Sequence, residues 1–205
     1  MRHSLLGIVL LSALACRPDP GISYYDDQEM FRLDAGSQSN DPEAPTLPMR
    51  VDEWFGPSGY MGDGESGLIS SAECDNPSTF AGGRCHTFTW VPGDKGWAGV
   101  FWQYPDGNWG TADGLSIPPG ATAVVFTAWG EQGNEIVTFG AGMGDVDGFS
   151  QELSNVALDS TPQEYVIDLT DISYELVVGG FVWTAAQSDG PMTFHIENIR
   201  WIETP

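Results

Sequence analysis

The chain has 205 residues, 41% of them apolar, and its 29 acidic against 7 basic residues give a formal net charge of −22. This length allows one ordinary domain with terminal extensions, and the apolar content suits a buried core. A chain this acidic repels polyanions, so the composition excludes nucleic acid as a partner.

The first fifteen residues have the plan of an export signal. A basic start precedes an apolar run from Leu5 to Leu14, which is too short to span a bilayer. Cys16 directly follows the small residues of 13–15, and this arrangement resembles the signal of a bacterial lipoprotein, in which the cysteine is lipid-modified and begins the mature chain. We expect residues 1–15 to be a signal peptide and the exported protein to meet the membrane only through a lipid on Cys16. Secretion with a free thiol is the alternative.

A flexible tether is predicted for residues 16–50. Scattered Pro, Ser, Asp and Gln without hydrophobic periodicity are typical of such linkers. All eight tryptophans follow this segment, which indicates one aromatic-rich domain over 51–205. That domain holds 22 acidic and three basic residues, and such a surface attracts divalent cations.

The two remaining cysteines, Cys74 and Cys85, are eleven residues apart. The Asn, Pro, Ser and Gly residues between them predict a loop that a disulfide could close. This pairing leaves Cys16 without a partner, which favours the lipid-modified interpretation.

Strand patterns recur after residue 84. Period-two alternation with β-branched and aromatic residues marks seven segments: 85–91, 97–104, 122–129, 135–140, 164–169, 177–184 and 192–202. Turns rich in Gly, Pro, Asp and Asn separate them, and no dozen-residue window has a helical period. The pattern predicts an all-β fold, a β-sandwich jelly roll of two antiparallel sheets.

The segment 97–104 presents aromatic rings on both faces. Trp97 and Phe101 share one face, whereas Trp102 and Tyr104 share the other. One face of a sandwich sheet packs into the core and the other normally meets solvent. At least one of Trp97 and Trp102 is therefore expected to be partly exposed or covered by a loop.

The residues next to each tryptophan separate those expected in the core from those expected to bind a ligand. We expect Trp54, Trp90 and Trp201 in the core, because tryptophans of small β proteins are mostly buried. Trp102 has Tyr104 nearby, and Trp109 lies in a Gly, Asn and Asp loop. Flat rings beside amide and carboxylate groups suit sugars, whose C–H faces stack while their hydroxyls form hydrogen bonds. The predicted ligand-binding residues are Trp102, Tyr104, Trp109 and Trp129, with Gln103, Asn108 and Asp106 as hydrogen-bonding partners.

A family resemblance rests on several stretches, including "PSGYMGDGE" (57–65), "GWAGVFWQYPDGNWG" (96–110), "AVVFTAWGEQGNEIVTFGAG" (123–142), "QEYVIDLTDIS" (163–173) and "MTFHIENIRWI" (192–202). With these, the chain resembles the galactose-binding-domain-like jelly rolls found as carbohydrate-binding modules beside bacterial glycosidases. It is also similar to the related β-sandwich of the complex I intermediate-associated family.

The resemblance implies a structural calcium near the joining of the first and last strands. Its candidate ligands here are Asp63, Glu65 and Glu197, with backbone carbonyls and water completing the six to eight oxygens that calcium prefers. A rival acidic cluster in "GDVDGFSQE" contains Asp145, Asp147 and Glu152, which we interpret as a solvated turn because it lacks the full spacing of a calcium loop.

Motifs for catalysis are missing from the sequence. There is no G-x-S-x-G, H-E-x-x-H or C-x-x-C, and Glu131 and Glu135 lack the E-x-D-x-x-E pattern of β-sandwich glucanases. The leading hypothesis is a non-catalytic lipoprotein that holds neutral polysaccharide or oligosaccharide on an exposed aromatic sheet face. A structural or protein-interaction β-sandwich of the cell envelope is one alternative, and a divergent glycoside hydrolase is another.

Overall fold

The computed structural model describes residues 44–75, 83–186 and 190–204. Residues 44–205 group as one compact unit. The predicted signal peptide and Cys16 lie outside the described residues, so lipid modification stays a prediction. In the part of the chain that is described, no helix has both the length and the apolar character needed to cross a membrane.

The described chain contains thirteen strands and two short helices. The strands are β1 (Met49–Arg50), β2 (Gly56–Gly62), β3 (Ile69–Glu73), β4 (Cys85–Trp90), β5 (Trp97–Gln103), β6 (Leu115–Ser116), β7 (Ala123–Gly130), β8 (Ile136–Gly144), β9 (Phe149–Ala157), β10 (Gln163–Asp168), β11 (Leu176–Val177), β12 (Gly179–Ala186) and β13 (Met192–Ile202). The helices are α1 (Val51–Trp54) and a 3₁₀ turn at Asp63–Ser66. All seven predicted strands are confirmed, with ends shifted by a few residues. Prediction missed β2, β3 and β9, the two-residue strands β1 and β6, and the separation of β11 from β12.

Two antiparallel sheets form the body of the protein. The six-stranded sheet has the order β10-β7-β13-β4-β3, and β1 pairs with β13. The five-stranded sheet has the order β2-β5-β12-β8-β9, and a two-stranded ribbon joins β6 to β11. A bulge in β13 between Glu197 and Arg200, with Asn198 at φ 55°, separates the half that pairs with β4 from the half that pairs with β1.

The strand order is that of a jelly roll. Eight strands are divided between the sheets so that β4-β13-β7-β10 lie in one and β5-β12-β8-β9 in the other. Apart from the β8-β9 hairpin, these eight strands pair with partners that are not their neighbours in sequence, as two Greek keys require. The predicted fold class is confirmed.

Aromatic rings fill the space between the sheets. The largest side chains with almost no exposure are Trp90, Trp102, Trp183, Trp201, Phe88, Phe126, Phe139, Phe181 and Phe194. Many of these rings meet edge to face or tilted, with centroids about 5 to 6 Å apart, the arrangement that ring quadrupoles favour. Trp90 and Trp201 are in the core as predicted, and Trp54 packs against it partly buried.

The folded body begins before the predicted boundary. Met49 is buried, and β1 pairs with the last strand, so the end of the segment predicted as a tether is part of the six-stranded sheet. A disulfide joins Cys74 to Cys85 as expected and closes the loop between β3 and β4.

Candidate functional site

A groove of about 750 Å³ lies against the outer face of the five-stranded sheet and the loop between β7 and β8. We call it the larger groove; its lining residues are Trp97, Gln132, Gly133, Asn134, Glu135, Ile136, Thr138, Asn155, Thr184, Ala185, Ala186, Pro191 and Met192. Register explains how they meet: Thr138 on β8 is opposite Thr184 on β12, and Ala186 is opposite Trp97 on β5. One aromatic ring thus borders a surface of amides, hydroxyls and one carboxylate.

A second hollow of about 430 Å³ adjoins it. This smaller groove is lined by Met61, Gly62, Glu65, Lys95, Trp97 and Trp109. Trp97 belongs to both grooves, so its ring stands between them. The two grooves together extend from the loop between β7 and β8 to the edge strand β2.

Strand parity places Trp97 on the outside. Ala98, Val100 and Trp102 point into the core, so the odd-numbered residues of β5 face outward, and 40% of Trp97 is exposed. A Cβ on Gly62 would lie 2.9 Å from two atoms of the indole, and Gly62 also has φ +59°. Glycine is therefore needed here twice, for its backbone conformation and for the close approach of the ring.

Trp109 is presented by a loop that one amide side chain organises. The Asn108 Oδ1 accepts hydrogen bonds from the backbone N–H groups of Gly110, Thr111 and Ala112, at 2.9 to 3.2 Å. Its Nδ2 donates to two backbone carbonyls of the same loop. Trp109 is 47% exposed, and its ring meets Phe101 edge to face at 6.2 Å.

Asn108 and Gln103 are not ligand-facing, which corrects the prediction. Asn108 is 3% exposed, and all its polar atoms bond to the loop. Gln103 is fully buried; its Nε2 donates to the Asn108 carbonyl and its Oε1 accepts from Ser58. Both side chains position the loop of Trp109, because a turn buried against the sheet must pair its backbone groups internally.

Trp102 is also placed wrongly by the prediction. Its side chain is 0% exposed, and its indole N–H donates to the Asp52 Oδ1 at 2.9 Å. The even-numbered residues of β5 face the other sheet, so the apolar ring belongs to the core. Tyr104, two residues further along the chain, packs half-buried against the core, with its ring 6.1 Å from that of Phe55.

Trp129 lies on the opposite sheet. On β7 it stacks at 4.8 Å on His195 of β13, whose Nε2 is 3.0 Å from the Glu131 carboxylate and whose Nδ1 is 2.9 Å from the Thr87 hydroxyl. The structure therefore does not bring Trp129 together with Trp109, because β7 and β5 are in different sheets. Asp106 is exposed in the Trp109 loop, with its carboxylate against Gly56.

Asp63, a predicted calcium ligand, is buried and engaged by the protein. It accepts hydrogen bonds from the backbone N–H groups of Gly93 and Lys95, at 2.8 and 2.9 Å, and from the Trp90 indole at 3.3 Å. Burial alone would raise the pKa of Asp63, but these hydrogen bonds outweigh it and hold the pKa below its usual value. The carboxylate thereby fixes the turn that precedes Trp97.

The other predicted calcium ligands do not complete a site with Asp63. Over residues 44–75, 83–186 and 190–204, no group of three or more His, Cys, Asp or Glu side chains is placed to hold a metal ion. Glu65 is exposed at the smaller groove, whereas Glu197 is buried on β13. Calcium binding by the protein stays a prediction.

In the second acidic cluster, that of Asp145, Asp147 and Glu152, one carboxylate stabilises the fold. Asp147 is buried and accepts backbone N–H hydrogen bonds from Met143, Val178 and Gly179 at 2.7 to 3.0 Å. It ties the turn between β8 and β9 to the start of β12. The sequence predicts a solvated turn here, but the carboxylate of Asp147 is a buried hydrogen-bond acceptor.

Sequence reasoning missed the residue that links the two grooves. The sequence predicts exposure for Trp97 or Trp102 but places the ligand surface at Trp102, because Tyr104 is nearby. Thr138, Asn155 and Thr184 were also missed. Their signal is alternation: each is a small polar residue at an outward position of a strand or its bulge.

Comparison with known proteins gives weak sequence similarity. No protein-family model and no curated protein sequence matches the chain. A family 11 carbohydrate-binding module of a cellulosomal cellulase from Clostridium thermocellum is 15% identical, with a TM-score of 0.44, over 66% of this chain and 82% of that one. A family 30 carbohydrate-binding module is 14% identical, with a TM-score of 0.46, over 74% and 84%. A structure described for the promiscuous specificity of β-sandwich carbohydrate-binding modules is 13% identical, with a TM-score of 0.48, over 78% and 63%.

Proposed function

We propose that this protein binds a neutral glycan in the two adjoining grooves and does not modify it. The carrying observation is the placement of Trp97, which is 40% exposed and lines both grooves. A partly exposed indole ring offers a flat apolar surface to the C–H face of a sugar. Trp109 offers a second ring in the smaller groove.

Polar groups around the rings suit sugar hydroxyls. The residues that line the larger groove include Gln132, Asn134, Thr138, Asn155 and Thr184. Amides and hydroxyls both donate and accept hydrogen bonds, as the hydroxyls of a neutral sugar require. None of the described lining residues of the larger groove is basic, so acidic sugars find no countercharge there.

A binding role without catalysis is supported by the distribution of acids. Glycoside hydrolysis uses two carboxyl groups on either side of the scissile bond. Among the described residues, Glu135 is the acid that lines the larger groove and Glu65 the one that lines the smaller. Glu131, the predicted neighbour of Glu135, is instead engaged by His195 of the other sheet.

The cell-envelope setting belongs to the same proposal. It is supported by the export-type pattern of residues 1–15, by Cys16 directly after it, and by the pairing of Cys74 with Cys85, which leaves Cys16 as the odd cysteine. A lipid on Cys16 would hold the glycan-binding domain at the membrane through residues 17–43.

Single tryptophan substitutions test the binding surface. Trp97→Ala and Trp109→Ala are each expected to weaken binding about 10- to 100-fold, because stacking on an aromatic ring contributes on the order of 1–3 kcal/mol. Affinity electrophoresis and calorimetry with soluble β-1,3-1,4-glucan, galactomannan and arabinogalactan provide the measurement.

Trp129→Ala is the matched control, since Trp129 lies on the opposite sheet beside His195. It should leave binding unchanged. Binding that survives loss of both Trp97 and Trp109, or that is lost with Trp129, contradicts the proposed surface.

A further inference from the structure

Glu135 has an arrangement that the stability of the fold does not explain. This residue lines the larger groove, and its Oε1 accepts a hydrogen bond from the Gln132 backbone N–H at 2.8 Å. Its Oε2 is shielded from solvent and makes no hydrogen bond. A carboxylate oxygen can only accept hydrogen bonds. This oxygen is therefore shielded from water without a protein donor that replaces it.

The space for this unpaired oxygen is provided by Gly130. A Cβ on Gly130 would lie 1.8 Å from the Glu135 Oε2, and the three nearest atoms to that Cβ all belong to the Glu135 carboxylate. The carboxylate therefore rests where a side chain of residue 130 would otherwise be. Turning it away from Gly130 and toward the groove sacrifices no hydrogen bond of Oε2.

Shielding a carboxylate oxygen without a donor is unfavourable, and the charge of the domain adds to the cost. Residues 51–205 carry 22 acidic against three basic side chains, and none of the described lining residues of the larger groove is basic. A neutral side chain would serve the fold better at this position. Such locally unfavourable groups are typical of functional sites.

We infer that Glu135 is the specificity-determining acceptor of the larger groove, an inference that rests on the proposed function. On binding, its carboxylate turns from Gly130 and accepts hydrogen bonds from hydroxyls of a sugar ring seated beside Trp97. The ligand must therefore present hydroxyl donors at this point. A sugar with a carboxylate there is rejected, because two acceptors of like charge would face each other.

Glu135→Gln tests the inference. It keeps the shape and the Oε1 acceptor but removes the charge and replaces one acceptor oxygen by a donor. We expect a 10- to 100-fold loss of affinity for whichever of β-1,3-1,4-glucan, galactomannan or arabinogalactan binds the unaltered protein, the range for a hydrogen bond to a charged group. The melting temperature should be unchanged or higher. Glu131→Gln is the control, because it makes the same charge change four residues away at a side chain that is 60% exposed. It should alter neither the glycan affinity nor the melting temperature.

Gly130→Ala provides a variant with the opposite expectation. The new methyl group displaces the flexible end of Glu135 from its resting place, so affinity should be unchanged or increased. The φ of Gly130 is not positive, so alanine fits the backbone.

The outcomes separate the inference from the proposed function. If the unaltered protein binds none of the three polysaccharides, both fail. If Trp97→Ala abolishes binding while Glu135→Gln retains full affinity, the inference alone is overturned. It is also overturned if Glu135→Gln markedly lowers the melting temperature, or if Gly130→Ala weakens binding as much as Glu135→Gln does.

Discussion

One buried carboxylate, that of Asp63, positions the turn before Trp97. Three donors converge on it from Trp90, Gly93 and Lys95, and they come from a part of the chain some thirty residues away. Such convergence keeps the carboxylate ionised and lowers its pKa from the ordinary 3.8. The same residue that was expected to hold calcium therefore orients an aromatic ring of the proposed binding surface.

The pH dependence of stability tests this role. Because the pKa of Asp63 is lower in the folded than in the unfolded protein, its stabilisation is fully present above about 3.8 and is lost as the pH falls through the lower folded value. Urea unfolding of Asp63→Asn and the unaltered protein should differ most at neutral pH and converge in acid. Asp113→Asn, at an exposed position, is the charge-matched control. A difference that grows as the pH falls contradicts this role.

The loop between β5 and β6 shows how an element presents a side chain. Five hydrogen bonds of Asn108 and one from Gln103 hold its backbone, so that Trp109 extends from it against Phe101. A loop braced in this way loses little conformational entropy when a ligand stacks on its ring.

Loosening this loop should therefore weaken binding without unfolding the domain. Asn108→Ala is expected to reduce glycan affinity about tenfold, because Trp109 is no longer held in place, as calorimetry would show. Thr111→Ala is the control, since only the backbone N–H of that residue is used. Unchanged affinity in Asn108→Ala would show that the position of Trp109 does not depend on the hydrogen bonds of Asn108.

At the scale of the whole molecule, Asp52 connects the two sheets. Its Oδ1 is 2.8 Å from the His86 Nε2 of β4 and 2.9 Å from the indole nitrogen of Trp102 of β5. The side chain of Asp52 is 6% exposed. Helix α1 thus supplies one acceptor to both layers at an end of the core, and the two partners depend on it for their hydrogen bonds.

Removing Asp52 should be costly for the whole fold. Asp52→Ala leaves a buried indole N–H and a buried imidazole nitrogen unpaired, so we expect the free energy of unfolding to fall by about 3 kcal/mol. Denaturant unfolding measures it. Glu53→Ala, next in sequence, removes an exposed surface pair with Arg50 and should cost about 0.5 kcal/mol or less. Equal losses in the two variants would contradict the bridging role.

The strands that prediction missed had little periodic signal. β2 has the sequence GPSGYMG, whose glycines and proline are typical of turns, and it is an edge strand of its sheet. β9 is also an edge strand and is mostly exposed, so its apolar residues are too few to mark a face. An edge strand forms because its backbone pairs with the free N–H and C=O groups of a neighbouring strand. The local sequence of the edge strand does not predict that pairing.

The seven aromatic strands, the two-layer fold and the pairing of Cys74 with Cys85 followed from the sequence alone, because alternation, turn residues and cysteine count are local properties. Only the tertiary structure decided which ring of β5 is outside. Both faces of that strand are aromatic, so the choice between Trp97 and Trp102 depends on which face the other sheet covers. The same holds for Asn108, Gln103 and Asp63. The sequence does not distinguish a polar side chain that binds a ligand from one that stabilises a loop. The difference depends on which hydrogen-bond partners the tertiary structure brings to that side chain.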